Sequence, residues 1–134
     1  MLFRSDTPTE LNTHLTPHNG EPLRNFTLYR HLVGSLIYLT VTRPDILYDV
    51  HQVSQFIAAP CSTHFSAVLR ILRYLKGTLF HGLYFSFQSP LQLHAYIDAD
   101  WACDLIDRRC TTGYCFLLGT SLISWRSKKQ TVVA

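Results

Sequence analysis

Two aspartates two residues apart, Asp98 and Asp100, carry the sharpest chemical signal in the sequence. They follow Leu91, Leu93, Ala95 and Ile97, apolar residues at every second position. That spacing predicts a strand with one face turned to a core, because successive side chains point to opposite faces. The other face carries Gln92, His94, Tyr96 and then Asp98. A strand that delivers a carboxylate at its C-terminal end, with a second acid two positions on, is a starting point for a metal-dependent phosphodiester site. Two cations about 3.5 to 4 Å apart need several oxygen ligands, so one strand end supplies only part of such a centre.

Two groups of cations offer a second chemistry. Arg70, Arg73 and Lys76 recur every three residues, drift about 60° per step at the helical pitch and share one flank. Arg126, Lys128 and Lys129 form a short basic run. Both groups suit contact with nucleic-acid phosphates. Both also suit a solvated face, the last cations of the helix complementing its negative end. The cysteines, Cys61, Cys103, Cys110 and Cys115, show neither CxxC pairing nor flanking histidines, which favours free, mostly buried thiols over zinc. His14 and His18 have helical spacing, but Pro17 lies between them and no acid is close, so a solvated pair is expected.

A chain of 134 residues is one domain or parts of two, and long enough to bury a core. Its 47% hydrophobic and 16% charged residues argue against general disorder. The net charge of +3 permits nucleic-acid contact without demanding it. The longest apolar run, Leu32 to Val41, is too short to span a membrane, and the N-terminus has no secretory pattern. An intracellular protein is expected.

Residues 1–25 mix Thr, Asn, Pro and Gly and are expected to form a flexible lead-in. From Thr27, Tyr29, Leu32, Val33, Leu36 and Ile37 follow helical spacing. Pro44 suits the first turn of a second helix, with Asp45 beside its positive end and Ile46, Val50, Val53 and Ile57 on one face. A third helix is expected from Thr63 as N-cap to Lys76, stopped by Gly77, with Phe65, Val68, Leu69, Leu72 and Leu75 as its stripe. Beyond Gly77 the period falls to two. Strands are expected at Leu83 to Phe87, Leu91 to Asp98, Tyr114 to Leu118 and Leu122 to Arg126. Gly119 suits the first central position of a tight turn between the last two, and residues 102–110 suit a loop. The fold class is therefore α+β, about three helices followed by a sheet, with a boundary near residue 82.

Five ordered motifs resemble those of copia-type retrotransposon polyproteins: residues 41–46 (VTRPDI), 72–78 (LRYLKGT), 98–102 (DADWA), 108–114 (RRCTTGY) and 122–130 (LISWRSKKQ). The resemblance covers the chain from about Thr7 onward. It implies that residues 26–81 belong to the thumb and connection part of a reverse transcriptase. Residues 82–134 would begin a ribonuclease H domain, whose sheet starts with consecutive antiparallel strands. Asp98 would be the inherited first catalytic aspartate, bridging Mg²⁺ or Mn²⁺, with Asp100 a second acid of less defined role. The catalytic Glu helix and later acids of that family are not among these residues; no Glu follows Glu21. The resemblance therefore implies an incomplete ribonuclease H-like sheet, no autonomous catalysis, and contact with an RNA–DNA hybrid or other nucleic acid through the two cation groups. No membrane or small-molecule substrate is expected. The alternative is a hybrid-cleaving ribonuclease completed by further sequence or a partner. Cys103 and Cys110 replace the family's usual Gly and Ser. With no later strand beside it, the Leu91 to Asp98 strand would have a free edge, unless Leu83 to Phe87 covers it.

Overall fold

Asn25 opens the first helix, α1 (Phe26–Leu39): its side-chain oxygen accepts from the Leu28 N–H at 3.2 Å, satisfying one of the donors a helix start leaves unpaired. The structure is a computed structural model that describes residues 3–10, 14–99 and 109–133. The chain divides into two compact units, Met1–His81 and Gly82–Ala134.

In the first unit a 3₁₀ turn at Pro44–Ile46 leads into α2 (Leu47–Ser54), and α3 spans Ser62–Gly77. Pro44 stands where its missing N–H costs nothing. The core joins Tyr29, Val33 and Leu36 of α1, Ile46, Val50 and Val53 around α2, and Val68, Ile71 and Leu75 of α3. The Tyr29 hydroxyl, fully buried, donates to the Val53 carbonyl at 2.6 Å, and burial raises its pKa well above the ordinary phenol value. Helix α2 stops well before Pro60, where the Ser54 hydroxyl bonds back to the His51 carbonyl at 2.7 Å.

Helix α3 departs from the expectation in three ways. Its N-cap is Cys61, not Thr63; its last residue is Gly77, with Thr78 as the cap; and its buried stripe is His64, Val68, Ile71 and Leu75, which leaves Leu69 and Leu72 only partly covered. One side chain accounts for the first and third. The His64 Nδ1 accepts from the Cys61 N–H at 2.9 Å, and Nε2 faces the Thr16 carbonyl at 2.9 Å, so the ring is neutral with its proton on Nε2. It stacks on Phe56 with centroids 3.9 Å apart. Anchoring His64 inward turns the helix so that positions four, seven and eleven residues later face the core. Residues 14–25 run along this end: Ser62 N donates to the Glu21 carbonyl at 2.8 Å, Leu23 N to Pro60 at 3.0 Å, and the Thr63 hydroxyl to Asn19.

The second unit is an antiparallel meander of β1 (Leu93–Ala99), β2 (Arg109–Leu118) and β3 (Ser121–Val133), in the order β1-β2-β3. The architecture is thus three helices followed by an open three-stranded sheet, an α+β fold. Residues 83–87 form no strand. Instead of pairing, the segment lies over the β2–β3 turn: Ser86 N donates to the Ser121 hydroxyl at 3.1 Å, and the Ser89 hydroxyl accepts from Thr120 N at 2.7 Å. Pro90 brings no ladder donor and the break before β1 has no Gly to close a hairpin. The outer edge of β1 therefore has no strand partner among the described residues. Strand β3 is longer than expected and takes in the basic run.

The register sets Leu93, Ala95 and Ile97 opposite Leu118, Phe116 and Tyr114, so the expected alternation is present. The expected burial is not: Leu91 is 86%, Leu93 64% and Ile97 72% exposed. Among the described residues of this unit, no second layer covers the apolar face of the sheet.

Two outcomes are expected. Gly119 has φ +60°, and a Cβ there would collide with the Ser89 hydroxyl and the Pro90 carbonyl. Gly119→Ala should destabilise the sheet by at least about 1 kcal/mol in urea denaturation followed by circular dichroism. For His64, burial lowers the pKa, the hydrogen bond to Thr16 opposing it less strongly. The unfolded imidazole takes a proton near its ordinary pKa of about 6.5 while the folded one resists it, so stability falls as pH drops through that value. Under the same denaturation, the stability gap between the native chain and His64→Gln should narrow from pH 7.5 to about pH 5.5; a constant gap would refute the assignment.

Candidate functional site

Asp98 lies one residue from the end of β1, opposite Gly113, which pairs in turn with Ser127 of β3. It shares a face with His94 and Tyr96 by strand alternation. Gly113 leaves the row beside the carboxylate open: a Cβ there would meet only the Arg126 carbonyl, at 3.9 Å. Asp100 lies outside the described residues, as do Asp104 and Asp107. Among the described residues no three His, Cys, Asp or Glu side chains are grouped to hold a metal ion. The described donor set, a single carboxylate at this strand end, does not fit a two-cation centre.

The basic run is divided by the strand that contains it. Arg126 stands opposite Tyr114 and Lys128 opposite Thr112, on the face of Ile97 and Phe116; Lys129, opposite Thr111, falls on the face of Asp98. On that mixed face Tyr114 and Phe116 meet edge to face, centroids 5.5 Å apart. The sequence grouped these three cations by proximity in the chain; a period of two separates them.

On α3, Arg70 reaches the N-terminal segment. Its Nη1 lies 3.0 Å from the Glu10 carboxylate, and Nη2 donates to the Thr7 hydroxyl at 2.9 Å. The Nε atoms of Arg70 and Arg73 are both buried with no hydrogen-bond partner among the described residues. Lys76 is exposed in the last turn, where its charge complements the helix end.

The most developed polar constellation was not foreseen as one. Arg43, buried beneath the 3₁₀ turn, directs Nε and Nη2 at the two Asp45 oxygens, at 2.9 and 2.7 Å. Its Nη1 donates to the Thr78 carbonyl at 3.0 Å and Nη2 also to the Thr78 hydroxyl at 2.8 Å. The Tyr74 hydroxyl donates to Asp45 at 2.8 Å. The Arg43 fork holds the Asp45 carboxyl below the usual carboxylate range, against an opposing push from partial burial. The same bonds raise the Arg43 pKa, and partial burial together with the Asp45 bond raises that of Tyr74. Residues 41–46 and 72–78, two of the motifs of the sequence, are thereby one network. An Arg two residues before an Asp was visible in the chain; nothing there pointed to Tyr74 and Thr78.

Nearby, Asp49 of α2 is buried, and burial raises its pKa against the opposing hydrogen bond from the Thr9 hydroxyl. The N-terminal segment thus contacts both α2 and α3.

No family model matches the sequence, and no solved structure does. Curated relatives do. The retrovirus-related Pol polyproteins from transposons RE2 and RE1 of Arabidopsis thaliana are 48% and 49% identical to the chain over 124 residues, 92% of its length. The secreted RxLR effector protein 161 of Plasmopara viticola is 49% identical over 107 residues, 79% of this chain and 75% of that protein. The chain is homologous to retrovirus-related transposon Pol polyproteins. It spans 8% of the length of the two Arabidopsis polyproteins. In this Pol-related chain the Arg43 network is a fold-forming feature within the first unit, whereas Asp98 and the β3 cations stand on an exposed sheet in the second.

Lysine cannot form the two-pronged contact of Arg43. Arg43→Lys should lower the stability of the helical unit by about 1 to 2 kcal/mol in urea denaturation, below the full range for charged hydrogen bonds because Asp45 is 35% exposed. Tyr74→Phe, which removes one bond and keeps the ring, should cost about half as much.

Proposed function

We propose that the chain is the stretch of a copia-type retrotransposon polyprotein in which the thumb and connection part of the reverse transcriptase passes into the start of the ribonuclease H domain. The observation that carries this reading is the 48% identity to a transposon Pol polyprotein over 92% of the chain. Its support from geometry is the order of the parts. A three-helix unit holds the motifs at 41–46 and 72–78 in one network, and an antiparallel meander follows with Asp98 at the end of its first strand.

In this reading the helical unit contacts a nucleic-acid backbone through the α3 edge of Arg70, Arg73 and Lys76, and the sheet does so through Arg126, Lys128 and Lys129. The partner is an RNA–DNA hybrid or a related nucleic acid, bound chiefly through its phosphates. Asp98 is the inherited metal-binding carboxylate, with Asp100 beside it in sequence and Mg²⁺ or Mn²⁺ as the ion of the complete centre. These 134 residues do not by themselves carry out cleavage.

The test is an RNA–DNA hybrid titrated with the purified chain and separately incubated with it in Mg²⁺ or Mn²⁺. Binding should be weak and fall steeply between about 50 and 200 mM salt, because each neutralised phosphate releases counterions. No cleavage should be seen, with or without Asp98→Asn. Absence of binding at the lower salt would remove the nucleic-acid contact, and cleavage abolished by Asp98→Asn would overturn the inactivity.

A further inference from the structure

The N-terminal segment and the α3 cationic edge meet at one point. Arg70, the first cation of that edge, has its two terminal nitrogens taken up by Glu10 and Thr7, at 3.0 and 2.9 Å. The same segment continues past the far end of the edge, where Arg4 and Ser5 lie 3.7 Å from the position a Cβ would take at Gly77. It is fastened to α2 as well, through the Thr9 hydroxyl on Asp49.

We propose that residues 3–10 are an intramolecular competitor for nucleic acid, with Glu10 and Thr7 holding the Arg70 fork in the way a phosphodiester would. Four observations carry this. A guanidinium presents a planar fork that fits a carboxylate or a phosphate equally, so the two acceptors exclude each other at Arg70. The Glu10 carboxylate is 63% and the Arg70 side chain 27% exposed, and ion pairs this open contribute little and exchange readily. The arrangement is also unfinished: the Nε–H donors of Arg70 and Arg73, one helical turn apart, are buried with no acceptor among the described residues. A phosphate group brings several acceptor oxygens where Glu10 offers one to Arg70, so the exchange would gain hydrogen bonds. Finally, Glu10 places a negative charge along the path a polyanion would follow, which lowers the affinity of the whole edge.

The inference rests on the proposed nucleic-acid contact of α3. Its consequence is that the segment sets a threshold: at low phosphate density Arg70 stays with Glu10, and a nucleic-acid strand laid along α3 displaces it.

The experiment measures binding of a fluorescent single-stranded oligonucleotide and of an RNA–DNA hybrid to the full chain and to Glu10→Gln, Asp6→Asn and Glu10→Gln/Arg70→Gln, by anisotropy at two salt concentrations. Glu10→Gln should tighten binding about two- to fivefold at the lower salt, the range set by release of an exposed ion pair. It should steepen the salt dependence by roughly 0.7 to 0.9 in log–log slope, one additional phosphate contact. Asp6→Asn removes the same net charge from the same segment and should give less than half that gain; the double variant should lose it. Equal gains for Asp6→Asn and Glu10→Gln would overturn the proposal in favour of net charge alone. Binding unchanged in Glu10→Gln but weakened by Arg73→Gln, measured alongside as a fourth variant, would overturn it and leave the α3 contact standing. No binding by the native chain or by Glu10→Gln would remove both.

Discussion

A buried guanidinium needs acceptors for its donors, and Arg43 finds them in two places far apart in the chain. Asp45 is its neighbour; Thr78 lies beyond the end of α3. Leaving such a cation unpaired in a low-dielectric surrounding costs several kcal/mol, so the two ends are held together whenever Arg43 is buried. The tie fixes the approach of α3 to the 3₁₀ turn, and with it the register in which Val68, Ile71 and Leu75 meet Ile46, Val50 and Val53. Apolar contact is non-directional and would tolerate several such registers. The charged network and the His64 bonds at the opposite end of α3 select one, because hydrogen bonds have direction and a helix clamped at both ends cannot rotate.

The sheet follows a different constraint. Its three strands satisfy one another's backbone groups, and the Gly119 turn is braced by Ser89 rather than by another strand. No second layer exists within this unit among the described residues, so alternation sorts side chains into two faces without burying either. That sorting matters for charge. A run of cations in a loop could turn toward one phosphate backbone, whereas Arg126 and Lys128 in a strand address one side of the sheet and Lys129 the other. Any polyanion lying on one face therefore meets part of the basic run only.

The two kinds of cation differ in the same respect. On α3 the three-residue spacing keeps Arg70, Arg73 and Lys76 on one flank, and the helix holds them in a row regardless of sequence neighbours. The N-terminal segment crosses that flank at Arg70, whose two terminal nitrogens bond Glu10 and Thr7.

The sequence by itself determined the order of the helices and of the three strands that form, the apolar face of α1 apart from Ile37, which is 45% exposed, the place of Pro44, the positive-φ turn at Gly119, and the likeness to transposon Pol polyproteins. These rest on local periodicity, on backbone preferences of single residues, and on motifs that are contiguous in the chain. Tertiary structure decided the rest. Whether Leu83 to Phe87 pairs depends on the turn geometry around Ser89 and Pro90, not on its alternation. The inward rotation of α3 depends on a carbonyl 48 residues away, at Thr16. The Arg43 network joins residues 35 positions apart, and the Arg70 pair joins residues 60 apart. No periodicity reports such partners, because a side chain's hydrogen-bond acceptor is chosen by which backbone the fold brings past it.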